Sequence, residues 1–220
     1  MAVQKHDDAG MSGPRPAPGS NVARYGRIAP LYDVLDLPFE RRRYRPLRPL
    51  MFESLHGRLL DAGVGTGRNC PFYPPDAVVS AIDSSPAMLA RARRRCQTVA
   101  AAGRLYRMDV TSLAFPTGEF DAAVATFLFC VLPDQQQHPA LRELGRVVRR
   151  GGLIRLLEYV RPTQTLRRII SRIWQPWIAW AYGAGFDRNT ESYVPGAGLE
   201  LIESRYVVDD LIKLLTIRVP

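Results

Sequence analysis

The sequence predicts an α/β protein: a mostly parallel sheet with helices on both faces, closed by a C-terminal antiparallel hairpin. Three observations lead there. A short apolar run, Arg58 to Asp61, enters a turn with glycines at 63, 65 and 67. From Arg58 onward, strand-like and helix-like stretches alternate. The last stretch, Leu199 to Val219, holds two β-rich runs in succession.

Residues 1–20 include Gly13-Pro14-Arg15-Pro16-Ala17-Pro18 and lack periodic hydrophobics, which predicts a disordered tail before a single domain over 21–220. Leu47, Leu50, Met51 and Leu55 fall at helical spacing, with Arg41, Arg42, Arg45 and Arg48 largely off that stripe. Pro46 and Pro49 argue for a helix that starts afresh near Pro46. Arg58 to Asp61 is the first strand, and the segment after its glycines is able to begin a helix. Val78 to Asp83 is the second strand. Ser85-Pro86 then opens a helix through Cys96, with Ser at the cap and Pro in the first turn. Arg104 to Met108 is the third strand and Phe120 to Phe129 the fourth. Asp134 is placed to cap a helix reaching Arg150. Gly151-Gly152 turns the chain into a fifth strand, Leu153 to Glu158. Thr165 to Gly183 is helical in pattern, with Leu166, Ile169, Ile170, Ile173, Trp174 and Trp177 on one stripe.

The chain has 220 residues, 46% hydrophobic and 23% charged, which fits one domain with a substantial core. It has no apolar run long enough to span a bilayer, and no apolar region behind Lys5 to Asp8 to make a signal peptide. Cys70, Cys96 and Cys130 fit neither a disulfide framework nor a zinc site, which points to a reducing, cytoplasmic compartment. The net charge of +9 is almost all arginine, since Lys5 and Lys213 are the only lysines. It is either a solvated surface or an attraction to an anionic membrane or nucleic acid.

Glycine serves where a chain must turn tightly or let a ligand lie against bare backbone. The dinucleotide fingerprint wants a glycine where Arg68 stands, so a nicotinamide site is disfavoured. Asp83, ending the second strand, stands where an acid accepts hydrogen bonds from ribose hydroxyls. Asp109 ends the third strand, where its side chain or the Val110 amide would meet an adenine edge. Ligands of open α/β sheets bind outside the carboxyl ends of the strands, which is where these residues fall.

Leu59 to Asn69, Ala81 to Leu89, Leu113 to Asp121 and Leu144 to Gly152 resemble the class I S-adenosylmethionine-dependent methyltransferases. Within that family the chain is most similar to the ubiquinone-biosynthesis type, a group that includes phosphatidylethanolamine N-methyltransferases and thiol methyltransferases of lipid surfaces. Tyr25 to Asp33 matches the group's Tyr-x-x-x-Ala-x-x-Tyr-Asp opening motif apart from small spacing variation. The resemblance implies a Rossmann-like, seven-stranded sheet and S-adenosyl-L-methionine as cofactor. It assigns Asp61 and the Gly63, Gly65 and Gly67 backbone to the methionine part, Asp83 to the ribose, and Ser84 or Met88 to the adenosine. Asp109 and Val110 take the adenine, Thr126 and Phe127 line the methyl-donor side, and Tyr25 and Tyr32 close over the pocket. Relatives often carry His after the Glu that ends strand five; here Tyr159 stands there instead.

Methyl transfer from a sulfonium needs positioning and desolvation more than a base, and no metal. Tyr32, Glu158 and Tyr159 are the catalytic candidates, on the acceptor side. His138 has a structural reading. The Arg-bearing stretches around Arg41 to Met51 and Leu166 to Trp177 suit a peripheral enzyme at the inner face of a membrane. They favour a phospholipid head-group amine as acceptor, then a quinone precursor or hydrophobic thiol. A nucleic-acid methyltransferase is disfavoured, because Phe127-Leu128-Phe129-Cys130 replaces an Asn-Pro-Pro-aromatic motif and no aromatic-interleaved basic patch compensates; a non-enzymatic S-adenosylmethionine-binding module is the remaining alternative.

Overall fold

The structure, a computed structural model, describes residues 40–97, 102–165 and 189–220. The tail, the Tyr25 to Asp33 motif with Tyr25 and Tyr32, and the helical pattern beyond Thr165 lie outside the described residues. Seven strands form one sheet: β1 (Gly57–Ala62), β2 (Ala77–Asp83), β3 (Ala102–Arg107), β4 (Phe120–Thr126), β5 (Val148–Tyr159), β6 (Glu200–Val208) and β7 (Ile212–Arg218). Their order is β3-β2-β1-β4-β5-β7-β6. The first five pair in parallel, and β7 runs antiparallel to both β5 and β6, as the hairpin pattern predicts. The connection reverses direction between β1 and β4, which opens a crevice at their carboxyl ends.

Helices α1 (Arg48–Phe52), α2 (Pro86–Cys96) and α3 (Asp134–Val147) cover the two faces. Side chains alternate across each strand, so Leu59, Val79, Ala122, Val124 and Leu157 meet Met51 and Phe52 of α1 and Leu89 and Ala92 of α2. Leu60, Ala62, Ala123, Ala125, Ile154 and Leu156 meet Ala140, Leu141, Leu144 and Val147 of α3 on the opposite face. The Ser85 side chain accepts the Met88 amide and Pro86 opens α2, so that cap is the expected one.

Several boundaries differ from the sequence reading. No α-helix follows the glycine turn; the chain makes a 3-10 turn at Cys70–Phe72 instead. Pro71, Pro74 and Pro75 supply no amide hydrogens, and only fourteen residues (63–76) separate β1 from β2. Strand β4 ends at Thr126, not Phe129, because Phe127 enters the left-handed region at φ 57°. Helix α3 stops at Val147, not Arg150, since Val148 is already extended and pairs with Phe120. The strand therefore begins before Gly151-Gly152, with a register shift there. Asp134 is the first residue of α3, with Pro133 at the cap. Arg48, expected off the apolar stripe, is buried.

Cys70 and Cys96 are bonded to each other, against the expectation of three scattered thiols; Cys130 alone is free and buried. Their Cα atoms are 5.4 Å apart, because the short turn after β1 packs on the last turn of α2. A Cβ on Gly67 would lie 2.9 Å from the Ala92 Cα, so only glycine allows that approach.

Candidate active site

The glycine turn folds back on β2. The amides of Gly63 and Val64 both donate to the Ile82 carbonyl at 2.9 Å. Asp83 then accepts the Gly65 amide at 2.9 Å on one carboxylate oxygen and the Ser85 amide at 2.8 Å on the other. Burial raises the Asp83 carboxyl above its ordinary range, and the two amides oppose that rise. Each carboxylate oxygen keeps a further lone pair for a ligand hydroxyl. A Cβ on Gly65 would meet nothing nearer than 4.0 Å, so bare backbone faces open space above the turn. Arg95 of α2 steadies the turn from behind, donating to the Thr66 carbonyl at 2.7 Å and to its hydroxyl at 2.8 Å.

Asp61, one residue short of the end of β1, and Thr126, the last residue of the neighbouring β4, are joined by Asn69. The Asn69 amide donates to both Asp61 oxygens, at 3.1 and 3.2 Å, and to the Thr126 hydroxyl at 3.1 Å. The Tyr73 hydroxyl donates to Asp61 at 2.7 Å. Behind Asn69, Arg48 donates to its carbonyl oxygen at 2.6 Å and grips Glu40 with two bonds of 2.7 and 2.8 Å. Burial pushes the Asp61 carboxyl up to about 6, with Tyr73, Asn69 and Arg48 pulling it down and Asp83 adding to the rise. Burial alone would also raise Glu40, but Arg48 and Arg68 outweigh it and hold that carboxyl below its ordinary value.

Across the crevice, Phe127 stacks on Tyr159, and Tyr44 meets both rings edge-on. The Tyr44 and Tyr159 hydroxyls are hydrogen-bonded to each other. Glu158 points to the opposite face of the sheet and is buried. Its carboxylate takes the Phe129 amide at 3.0 Å and the Cys130 amide at 2.8 Å, shaping the turn after β4. Burial lifts it to about 7 against those amides. Glu158 also borders a cavity of about 320 Å³, together with Tyr159, Glu191, Tyr206 and Lys213. Lys213 is paired there with Glu191 at 2.7 Å.

At the other end, Asp109 is exposed and turns back to Thr111, and Val110 is buried beside it. The loop beyond is clamped by α3: Glu143 accepts the Leu113 amide, and Arg146 donates to the Leu113 and Phe115 carbonyls. Met88, in the first turn of α2, is buried, and Ser84 is half-buried. His138 contacts the Gly196 carbonyl at 2.8 Å, away from the crevice.

Thus Asp61, the three glycines, Asp83, Ser84, Thr126, Phe127 and Tyr159 share one edge of the sheet, with Asp109 and Val110 after its third strand. Glu158 lies behind that edge. Sequence reading missed Tyr44, Arg48, Asn69, Tyr73 and Arg95. An arginine between two prolines in an apolar stretch was the one local signal, for Arg48. Among the described residues no cluster of His, Cys, Asp or Glu could hold a metal, and no helix is long and apolar enough to cross a membrane.

A family model described as a methyltransferase domain matches residues 59–152. A phosphatidylethanolamine N-methyltransferase from Cereibacter sphaeroides is 38% identical over 47% of this chain, a match spanning only 51% of that relative. A demethylmenaquinone methyltransferase from Thermus thermophilus is 33% identical over 68% of this chain and 70% of its own. In three dimensions, a geranyl diphosphate C-methyltransferase from Streptomyces coelicolor, solved with S-adenosyl-L-homocysteine, aligns with TM-score 0.65 at 12% identity, covering 82% of this chain and 80% of that one. Fold and relatives agree: the chain belongs to the S-adenosyl-L-methionine-dependent methyltransferases.

Proposed function

We propose that this methyltransferase acts on a phospholipid head-group amine at a membrane surface. The observation that carries the reading is the aromatic wall of Tyr44, Phe127 and Tyr159 at the carboxyl ends of β4 and β5. Aromatic faces attract cations, and both the sulfonium donor and the head-group ammonium, before it gives up its proton, are cationic. Phe127 holds its ring there at a φ of 57°, which costs a residue with a bulky side chain energy that the fold must offset elsewhere. The phosphatidylethanolamine N-methyltransferase relative supports the same acceptor class.

When bound, S-adenosyl-L-methionine supplies a methyl group on a positively charged sulfur, which an acceptor atom displaces in line. The residues present fit that group. The open backbone at Gly65, with Gly63 and Gly67 shaping the turn, takes the amino-acid end beside Asp61. Asp83 has lone pairs left for the ribose hydroxyls, Ser84 and Met88 lie along the adenosine, and Asp109 with Val110 borders the adenine. Thr126 and Phe127 line the donor side. Tyr159, held by Tyr44, orients the acceptor nitrogen, whose proton must pass to solvent water before its lone pair forms the new N–C bond. Glu158 acts by shaping the turn after β4, since its carboxylate already takes two backbone amides. Tyr25 and Tyr32 remain assigned as the closing tyrosines.

Exposed Arg42, Arg43 and Arg45 border this wall and would draw the enzyme to anionic lipid at the cytoplasmic face. A second reading, methyl transfer to a quinone precursor, is favoured by the stacked Phe127 and Tyr159 rings, which suit a flat acceptor, and by the demethylmenaquinone methyltransferase relative.

Incubation with labelled S-adenosyl-L-methionine and vesicles of phosphatidylethanolamine and phosphatidylglycerol tests the first reading. Label co-migrating with methylated phosphatidylethanolamine is expected. Label entering only a demethylated quinone, added in detergent to a parallel sample, would replace it with the second.

A further inference from the structure

We propose that Arg48 is a positioning residue for the methyl-donor site, acting through Asn69 to keep the Asp61 carboxylate ionised and facing the amino-acid end of the cofactor. The inference rests on the reading of Asp61 as the group that faces that end. Its basis is a continuous buried chain from Glu40 through Arg48 and Asn69 to Asp61 and Thr126. Arg48 spends three nitrogens in it, two on Glu40 and one on Asn69. Glu40, Arg48, Asn69 and Asp61 are all buried.

The Asn69 side chain is the element with two settings. An amide has an acceptor end and a donor end, and rotation by half a turn exchanges them. Arg48 has donors only, so the Asn69 carbonyl oxygen must face it at 2.6 Å. The NH2 end is thereby committed to Asp61 and Thr126. With Arg48 gone nothing selects that setting, and the flipped amide would turn an oxygen toward a carboxylate. Asp61 would answer by taking up a proton.

A structural ion pair is the competing account, but a buried pair by itself is weak evidence for stability, because well-packed apolar residues often serve as well. The pair also sits at the crevice rather than in the core at large. It ties the segment ahead of α1 to the ends of the two strands between which the sheet order reverses. The charged and titratable groups around Asp61 are Tyr73 from the turn after β1, Arg48 from α1 and Asp83 from β2. Glu40 and Arg68 stand one contact further back. Among them Arg48 is the cation that favours the ionised carboxylate, adding a direct electrostatic pull to the contact through Asn69.

The test is the affinity for S-adenosyl-L-homocysteine by calorimetry from pH 5 to 9, in the full chain and in Arg48→Met, Arg48→Lys and Asn69→Leu. For the unaltered chain, affinity should fall as pH drops through about 6. In Arg48→Met that midpoint should rise by about one unit, weakening binding roughly twofold at pH 7 and nearly tenfold toward pH 5, with recovery toward pH 9. Lysine keeps the charge but not the fork that spans Glu40 and Asn69, so its midpoint should fall between the two. Asn69→Leu leaves the Glu40–Arg48 pair intact and should reproduce the shift of Arg48→Met even where that variant folds poorly. An unchanged midpoint in Asn69→Leu, or a uniform loss at every pH in a folded Arg48→Met, would overturn the proposal. Asp61→Asn separates the underlying reading: if it binds as tightly as the unaltered chain at every pH, Asp61 does not serve the cofactor, whatever Arg48 does.

Discussion

The carboxylate of Glu158, at the end of β5, accepts the Cys130 amide at 2.8 Å from the turn that follows β4. Its other oxygen takes the Phe129 amide, so one buried acid shapes the turn that follows Phe127.

That acid makes stability depend on pH. Burial raises Glu158 from 4.5 to about 7, so between those values the folded chain holds a proton that the unfolded chain has lost. Stability therefore falls as pH rises through this window, by about 3 kcal/mol in full at ~1.4 kcal/mol per unit. Asp61, raised to about 6, acts in the same direction. Urea unfolding at pH 5 and pH 8 should show the fall in the unaltered chain and a smaller one in Glu158→Gln. Equal slopes in the two would remove Glu158 as its source.

Asp83→Ala should weaken S-adenosyl-L-homocysteine binding about 10- to 100-fold. The change removes a charged acceptor for the ribose, a bond of the class worth about 1.5–3 kcal/mol, and frees the Gly65 amide from its 2.9 Å tether. Calorimetry reads it directly, and equal affinity would mean the ribose lies elsewhere.

Tyr44→Phe keeps the rings against Phe127 and Tyr159 but deletes one of two paired hydroxyls. Unfolding free energy should change by only about 1 kcal/mol, while turnover of labelled methyl groups falls about tenfold with cofactor affinity unchanged. Turnover that is also unchanged would leave the hydroxyl pair without a part in acceptor orientation.

The Cys70–Cys96 bond closes a loop with a sequence separation of 26. Loop-closure entropy assigns it about 3.5 kcal/mol of stability. Cys96→Ala, or reductant added to the unaltered chain, should shift the urea midpoint accordingly, and the variant should no longer respond to reductant.

Charge reversal of Arg42, Arg43 and Arg45 to Glu should abolish sedimentation with phosphatidylglycerol vesicles at moderate salt, each basic side chain near such a surface being worth about 1 kcal/mol. Retained binding would place the membrane contact on another surface.

Much of the fold was legible because its signals are local. Ser85-Pro86 caps a helix wherever it stands, glycines at 63, 65 and 67 turn the chain within a few residues, and alternating apolar runs mark buried strands. Asp61, Asp83 and Asp109 could be ordered along the sheet edge for the same reason, although β3 itself stops at Arg107, two residues before Asp109. Boundaries failed where a distant partner intervened. Phe120 to Phe129 is rich in Val, Phe and Ala to its end, yet β4 stops at Thr126 because Phe127 turns left-handed and Glu158, some thirty residues on, claims the amides of Phe129 and Cys130.

The half of the candidate site made by the glycine turn and the acids at strand ends was thus written in short-range chemistry. The other half was decided by packing across the chain. Tyr44 reaches Tyr159 over a separation of 115 residues, and Arg48 meets Asn69 over 21. Cys70 finds Cys96 because a short proline-rich turn lies on α2. No local pattern encodes such pairings. An arginine or tyrosine is spent inward or left to solvent according to which partners the closed sheet brings within hydrogen-bonding distance, and that is settled only when the strands are in register.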